Sequence, residues 1–107
     1  MARSLSPSEL KEQLSGSRGL PLLLDVREDW EYQICAIEGS RNHPVSQVPA
    51  LLQELDPNTR TVVICHHGIR SQHVAEFLER SGFSDVCNLE GGIDAWAREI
   101  DPQMPTY

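Results

Sequence analysis

The stretch Thr61-Val62-Val63-Ile64-Cys65-His66-His67-Gly68-Ile69-Arg70-Ser71 predicts a strand, a tight loop and the start of a helix. Its first four residues are all β-branched, which suits a buried strand. Cys65 stands where the strand ends, and Arg70 and Ser71 stand where the helix is expected to begin. Because loop N–H groups and a helix N-terminus both favour a nearby negative charge, we interpret Cys65 as a thiolate nucleophile.

The loop between this cysteine and the arginine consists of four residues, His66, His67, Gly68 and Ile69. A loop this short, if it curls around the sulfur, directs several N–H groups at one point, and Gly68 permits a backbone conformation that larger residues resist. Arg70 adds a permanent positive charge and a planar set of donors for an oxyanion. The loop therefore predicts a site for a small anion, with sulfate, thiosulfate, phosphate and arsenate all open. The alternative is a buried structural cysteine, but packing alone does not account for this succession of features.

Strands alternate with helices along the rest of the chain. Pro21–Val26 is an almost unbroken apolar run, typical of a strand that is covered on both faces. Residues 71–81 and 93–100 carry apolar side chains at helical spacing. Further helices are predicted from Ser6, over 29–34 and over 46–55. The alternation predicts an α/β domain with a parallel sheet.

The last predicted strand, Asp85–Leu89, has alternating faces. Val86 and Asn88 are expected to face one way, and Cys87 and Leu89 the other.

Composition limits the class of protein. The chain has 107 residues, 39% of them hydrophobic and 23% charged, which fits one domain over residues 1–107. The net charge of −7 argues against a nucleic acid partner. No apolar targeting segment or membrane-length run is present. The three cysteines, Cys35, Cys65 and Cys87, form no CxxC pair, so we expect unpaired thiols and a cytoplasmic location.

Charged residues also follow the strand at 21–26. Asp25 and Arg27 stand at its carboxyl end, where open α/β sheets usually carry their sites. The alternative is that they only form hydrogen bonds with neighbouring loops, since ion pairs also gather at such edges.

The two adjacent histidines raise the question of a metal ion. Adjacent side chains in a tight loop tend to diverge, and no further pair of ligands has metal spacing, so we expect no metal site. Cys35 and Cys87 are interpreted as buried structural residues, with a resolving role for Cys35 left open.

Four segments, in this order, resemble those of single-domain rhodaneses: Leu24–Glu28, Glu38–Asn42, Cys65–Ser71 and Asn88–Trp96. The resemblance implies a rhodanese-like α/β fold, with a largely parallel central sheet of about five strands flanked by helices on both faces. It implies a thiosulfate sulfurtransferase without a cofactor, in which Cys65 takes the outer sulfur of thiosulfate as a persulfide and passes it to a thiophilic acceptor such as cyanide or a thiol.

The resemblance also assigns roles to individual residues. The amides of His66, His67, Gly68, Ile69 and Arg70 would form the anion site, and the Arg70 side chain would hold the oxyanion. Asp25, Arg27 and Ser71 would support the loop rather than react. One segment departs from the family, because Cys35-Ala36-Ile37 stands where many members have Gly-His-Ile.

Two other functions remain open. Phosphatases and arsenate reductases of the same fold separate the cysteine and the arginine by five residues, whereas four separate them here, which favours the smaller sulfur-transfer site. A persulfide relay or interaction module, with a protein as sulfur donor or acceptor, is the third hypothesis.

Overall fold

The computed structural model describes residues 2–16 and 19–107, which form a single five-stranded sheet with all neighbouring strands parallel. Met1, part of the N-terminal stretch in which we expected no targeting segment, lies outside the described residues. The strands are β1 (Arg3–Leu5), β2 (Leu22–Asp25), β3 (Arg41–Asn42), β4 (Thr61–Ile64) and β5 (Val86–Leu89). Their order across the sheet is β1-β5-β4-β2-β3, so the predicted parallel α/β fold is confirmed.

Helices cover both faces of the sheet. They are α1 (Pro7–Ser15), α2 (Asp29–Ile34), α3 (Val48–Leu51), α4 (Ile69–Arg80) and α5 (Gly92–Glu99), and a 3-10 helix at Val45–Gln47 precedes α3. Helices α3 and α4 contribute to one apolar core, and α1 and α5 to the other. None of these helices has the length and apolar character needed to span a membrane.

The strands supply both cores because their side chains alternate. In β4, Val63 belongs to the core beneath α4, while Val62 and Ile64 belong to the core beneath α5. All three are fully buried, as expected for a central parallel strand. The alternation predicted for β5 is also confirmed, since Val86 packs on the α4 side and Cys87 and Leu89 on the α5 side.

Three elements differ from the sequence-based prediction. Strand β1 was not predicted, because three residues are too few for a periodic signal and the strand forms only by pairing with β5. Helix α4 begins at Ile69, two residues earlier than predicted, which places Arg70 in its first turn. The single helix predicted over 46–55 is instead a 3-10 helix followed by the four-residue α3, because Pro49 cannot continue a helix but readily begins one.

The strand order reverses direction between β2 and β4. The chain leaves β2 towards β3 at one side of the sheet and leaves β4 towards β5 at the other. Such a reversal opens a crevice at the carboxyl ends of the two strands, which is where open α/β sheets bind ligands. Asp25 lies beside Ile64 in the strand register, and Val26 N–H donates to the Ile64 carbonyl at 2.9 Å. The loop that starts at Cys65 therefore meets the segment that follows β2.

Candidate functional site

The Cys65 sulfur lies in a ring of hydrogen-bond donors at the N-terminus of α4. The residue is 1% exposed, and its Sγ accepts bonds from Gly68 N–H at 3.0 Å and Ser71 N–H at 3.3 Å. Gly68 caps the helix with φ 97°, a left-handed conformation that favours glycine. Donors aimed at a sulfur stabilise its anionic form, so the geometry suits a thiolate. The remaining loop amides, those of His66, His67, Ile69 and Arg70, remain the predicted contacts of an incoming anion.

Ser71 connects the sulfur to the neighbouring strand. Its Oγ lies 3.2 Å from Cys65 Sγ and also forms a short hydrogen bond with Asn88 Oδ1. The Asn88 amide is held in one orientation because its Nδ2 donates to the Gly68 carbonyl at 3.0 Å. Asn88 therefore links both ends of the turn around the sulfur to β5.

Helix α5 holds the other side of the loop. Ile93 N–H donates to the Cys65 carbonyl at 2.8 Å, and Asp94 N–H donates to the His66 carbonyl at 3.0 Å. These bonds turn the two carbonyls away from the sulfur and use N–H groups that a helix N-terminus otherwise leaves unpaired. Gly92, at φ 63°, packs so closely that an added Cβ would overlap the carbonyl groups of Cys65 and His66.

Arg70 forms an ion pair with Glu31 of α2. Its two terminal nitrogens donate to the two carboxylate oxygens at 2.8 and 2.9 Å, a bidentate arrangement. The hydrogen bonds from Arg70 are the largest cause that holds the pKa of Glu31 at about 2, and burial opposes them. Glu31 also raises the pKa of Arg70. The arginine predicted to hold an oxyanion is thus already bound to a carboxylate.

Asp25 and Arg27 form a fully buried ion pair with a distance of 2.7 Å between Arg27 Nη2 and Asp25 Oδ2. The remaining Arg27 donors bond to the Glu31 and Cys35 carbonyls and to the Tyr107 hydroxyl. Burial alone would lower the pKa of Arg27, but the hydrogen bond to Asp25 and the other partners raise it. With every guanidinium N–H engaged, Arg27 joins the end of β2, helix α2 with Cys35, and Tyr107. Its support of the cysteine loop stays a prediction.

The two loop histidines do not diverge, contrary to our expectation. The rings of His66 and His67 stack at a centroid distance of 3.9 Å, and the Tyr107 ring stacks on His66 at the same distance. The rings do not diverge because His66 lies between two partners, with the Tyr107 ring stacked on one side and the His67 ring on the other. Burial, followed by the charge of His67, lowers the pKa of His66. The neutral ring is therefore favoured in this stack.

A third potential metal ligand, which the sequence did not reveal, lies beside these histidines. Ligand atoms of His66, His67 and Asp94 lie within 4.8 Å of one another. The imidazole planes are only 27° apart, so their in-plane lone pairs run nearly side by side rather than converging on one ion. The expectation of no metal site stays a prediction.

Several residues at the site were not singled out from the sequence: Glu31, Asn88, Asp94 and Tyr107. Asn88 had a usable signal, because it is a polar residue on a strand face that otherwise packs into a core. The other three had none, since their partners are distant in sequence or belong to another element.

Replacing Gly92 tests the close packing of α5 against the loop. In Gly92→Ala, both the positive φ and the overlap with backbone carbonyls are unfavourable, and the carbonyls cannot rotate aside as a side chain can. Gly82→Ala is the matched control, because Gly82 has φ 101° and open space around it. Denaturant unfolding should show a clearly larger stability loss for Gly92→Ala than the ~1 kcal/mol expected for the control. Equal losses would contradict the packing.

Replacing Asn88 tests its hold on the loop. Asn88→Leu keeps a similar volume but removes the bonds to Gly68 O and Ser71 Oγ. Amide hydrogen exchange at Gly68 and Ser71 should accelerate about fivefold or more, as expected for the loss of ~1 kcal/mol of local stability. The same change at exposed Asn58 should leave these amides unaffected. Unchanged exchange in Asn88→Leu would show that the loop is held without this residue.

Acid titration tests the Glu31–Arg70 pair. The pKa of Glu31 is lowered from 4.5 to about 2 in the folded protein, so its ionised form stabilises the fold above pH 4.5. Wild type should be more stable than Glu31→Gln at pH 7, and the difference should shrink as the pH falls from 4.5 to about 2. Unfolding free energies measured over this range provide the test. A difference that persists at pH 2 would assign the effect to something other than ionisation.

Comparison with known proteins identifies the family. The Rhodanese-like domain family matches residues 6–99. YtwF of Bacillus subtilis (strain 168), whose name includes the word sulfurtransferase, is 35% identical over 101 residues, covering 94% of this chain and 96% of that protein. The crystal structure of a rhodanese-like domain protein from Staphylococcus aureus has a TM-score of 0.84 and 31% identity, with 98% of both chains covered.

Other relatives are much longer than this chain. The chloroplastic rhodanese-like/PpiC domain-containing protein 12 of Arabidopsis thaliana is 39% identical over 89 residues, covering 79% of this chain but 30% of that protein. The adenylyltransferase and sulfurtransferase MOCS3-1 of Zea mays is 39% identical over 93 residues, covering 80% of this chain and 20% of that protein. The family match over most of the chain and the YtwF alignment are consistent with the fold and the strand–loop–helix site described above. The chain therefore belongs to the rhodanese-like domain family.

Proposed function

We propose that this domain is a sulfurtransferase in which Cys65 carries a sulfane sulfur as a persulfide. The observation that carries the proposal is the position of Cys65 Sγ, which accepts hydrogen bonds from Gly68 and Ser71 at the N-terminus of α4. The named relatives support sulfur transfer in general. The cysteine and its surroundings supply a nucleophile that needs no cofactor.

In the loading step, the Cys65 thiolate attacks the outer sulfur of a donor such as thiosulfate. A bond forms between Sγ and that sulfur, the sulfur–sulfur bond of thiosulfate breaks, and its electron pair leaves with sulfite. In the unloading step, cyanide or a thiolate attacks the terminal sulfur, and the Cys65 thiolate is restored. With cyanide the product is thiocyanate, and the two steps together make a ping-pong reaction without an external oxidant.

Some loop residues bind the Cys65 sulfur, and others would bind the donor anion. Gly68 and Ser71 stabilise the negative sulfur, while the amides of His66, His67, Ile69 and Arg70 would contact the transferred sulfur and the leaving oxyanion. Asp25 and Arg27 would hold the loop in place. The spacing of four residues between Cys65 and Arg70 favours this chemistry over the phosphatase or arsenate reductase alternative.

A second candidate is a relay that exchanges sulfur with another protein. Relatives such as MOCS3-1 are named for two activities and are far longer than this chain, so a domain like this one also occurs as one part of a larger sulfur-handling protein. The acceptor could then be a protein thiol rather than a metabolite. We propose a reducing compartment such as the cytoplasm for either case, because all three cysteines are unpaired and buried.

Intact mass after incubation with sulfur donors tests the proposal. Wild-type protein treated with thiosulfate or with a small-molecule persulfide should gain one sulfur atom, which cyanide should remove as thiocyanate. Cys65→Ser should gain none, while Cys87→Ser is the control, because Cys87 lies in the core beneath α5 and should load like wild type. An adduct that persists in Cys65→Ser would show that another group carries the sulfur.

A further inference from the structure

We propose that Glu31 sets the donor preference of the Cys65 site by neutralising Arg70, so that the site prefers persulfides of low net charge to dianionic thiosulfate. The inference rests on the proposed function and adds a specificity-determining residue to it. Glu31 lies on α2, outside the cysteine loop, and only the folding of the chain brings it next to Arg70.

The Glu31 carboxylate is held in place by its partners. Glu31 has a side chain that is 5% exposed, and both of its oxygens bind the Arg70 guanidinium. Glu28 N–H donates to Oε1 and the Tyr107 hydroxyl donates to Oε2, each at 2.9 Å. With four hydrogen bonds and little exposure, the carboxylate cannot swing aside when a donor anion arrives.

Arg70 lies in the first turn of α4, next to residues that bind the sulfur. It directly precedes Ser71, whose N–H and hydroxyl both contact Cys65 Sγ. A charge on Cys65 is also among the causes that raise the pKa of Arg70. An unpaired guanidinium here would attract a dianion strongly in a half-buried site. The guanidinium bound to Glu31 instead presents a neutral pair, although its side chain is 40% exposed.

The side of the loop that faces α5 does not supply a positive charge in place of the neutralised Arg70. Asp94 lies 4.0 Å from His67 Nε2, and its arginine partner, Arg98, is one helical turn further along α5 with a 65% exposed side chain. The net charge of −7 adds a general repulsion of dianions. A donor without net charge does not need an unpaired cation at the site and is not repelled by the net charge of the protein.

The probe for the preferred class is cysteamine persulfide, whose ammonium group offsets its persulfide charge. The Cys65 thiolate attacks the outer sulfur of the probe, the new Sγ–S bond forms, and the probe's sulfur–sulfur bond breaks. The electron pair leaves with cysteamine thiolate, which takes up a proton from water. The step differs from thiosulfate loading in the charge of the donor and of the leaving group.

The experiment compares loading rates of wild type, Glu31→Gln and Glu54→Gln with each donor, measured by intact mass at low ionic strength. Glu31→Gln keeps a hydrogen-bond acceptor for Arg70 but removes the negative charge. Glu54→Gln makes the same charge change at an exposed position in the segment between α3 and the start of β4, whereas the cysteine loop follows the end of β4. A melting curve for each variant shows that it is folded.

Thiosulfate loading should be about fivefold faster or more in Glu31→Gln, and loading from cysteamine persulfide should change less than twofold. Glu54→Gln should change neither rate beyond that limit. If folded Glu31→Gln shows the same ratio of the two rates as wild type, the inference is wrong. If wild type loads Cys65 from neither donor, the proposed function itself fails, which is a different outcome.

Wild-type protein alone offers a second test that does not depend on the stability of a variant. If Arg70 is neutralised, added salt should not slow thiosulfate loading relative to cysteamine persulfide, because no unpaired cation attracts the dianion. A relative loss of threefold or more between about 10 and 200 mM salt would show an unpaired cation at the site and would overturn the inference.

Discussion

The site depends on where the carbonyl groups of the cysteine loop point. Amides can surround a sulfur only if the carbonyls of the same residues turn outwards, and those carbonyls then need donors of their own. The first turn of α5 provides them, through Ile93 N–H and Asp94 N–H. Because this contact leaves no room for a Cβ at residue 92, the Gly91-Gly92 pair and the cysteine loop form one structural unit although they are far apart in the sequence.

The two arginines near this unit, Arg27 and Arg70, each form an ion pair with a buried carboxylate. Arg27 is satisfied by Asp25, by two backbone carbonyls and by Tyr107, while Arg70 is satisfied by Glu31. Pairing fixes the geometry of the loop, since breaking a buried pair leaves an uncompensated charge. The Arg70 side chain, which the family resemblance assigned to an oxyanion, binds helix α2 through Glu31, while backbone N–H groups of Gly68 and Ser71 bind the Cys65 sulfur.

The sequence predicted what local patterns can encode. The β-branched run before Cys65 and the apolar run before Asp25 and Arg27 predicted that these residues stand at strand ends, because each signal lies within a few residues. The partners were not predictable in the same way. Arg70 binds Glu31, 39 positions away, and Arg27 binds Tyr107, 80 positions away, so those contacts exist only once the sheet order is set. Strand β1 was missed for the same reason.

The Ser71 hydroxyl carries a single hydrogen, yet it lies within bonding distance of two acceptors, Cys65 Sγ and Asn88 Oδ1. When the cysteine is a thiol, its own hydrogen can point to Ser71 Oγ, and the hydroxyl hydrogen serves Asn88. When the sulfur is ionised, that hydrogen is drawn to the sulfur and Asn88 Oδ1 loses it. The sulfur and the Asn88 side chain therefore compete for one hydrogen, so the hydrogen bonding of Cys65 is coupled through Ser71 to strand β5.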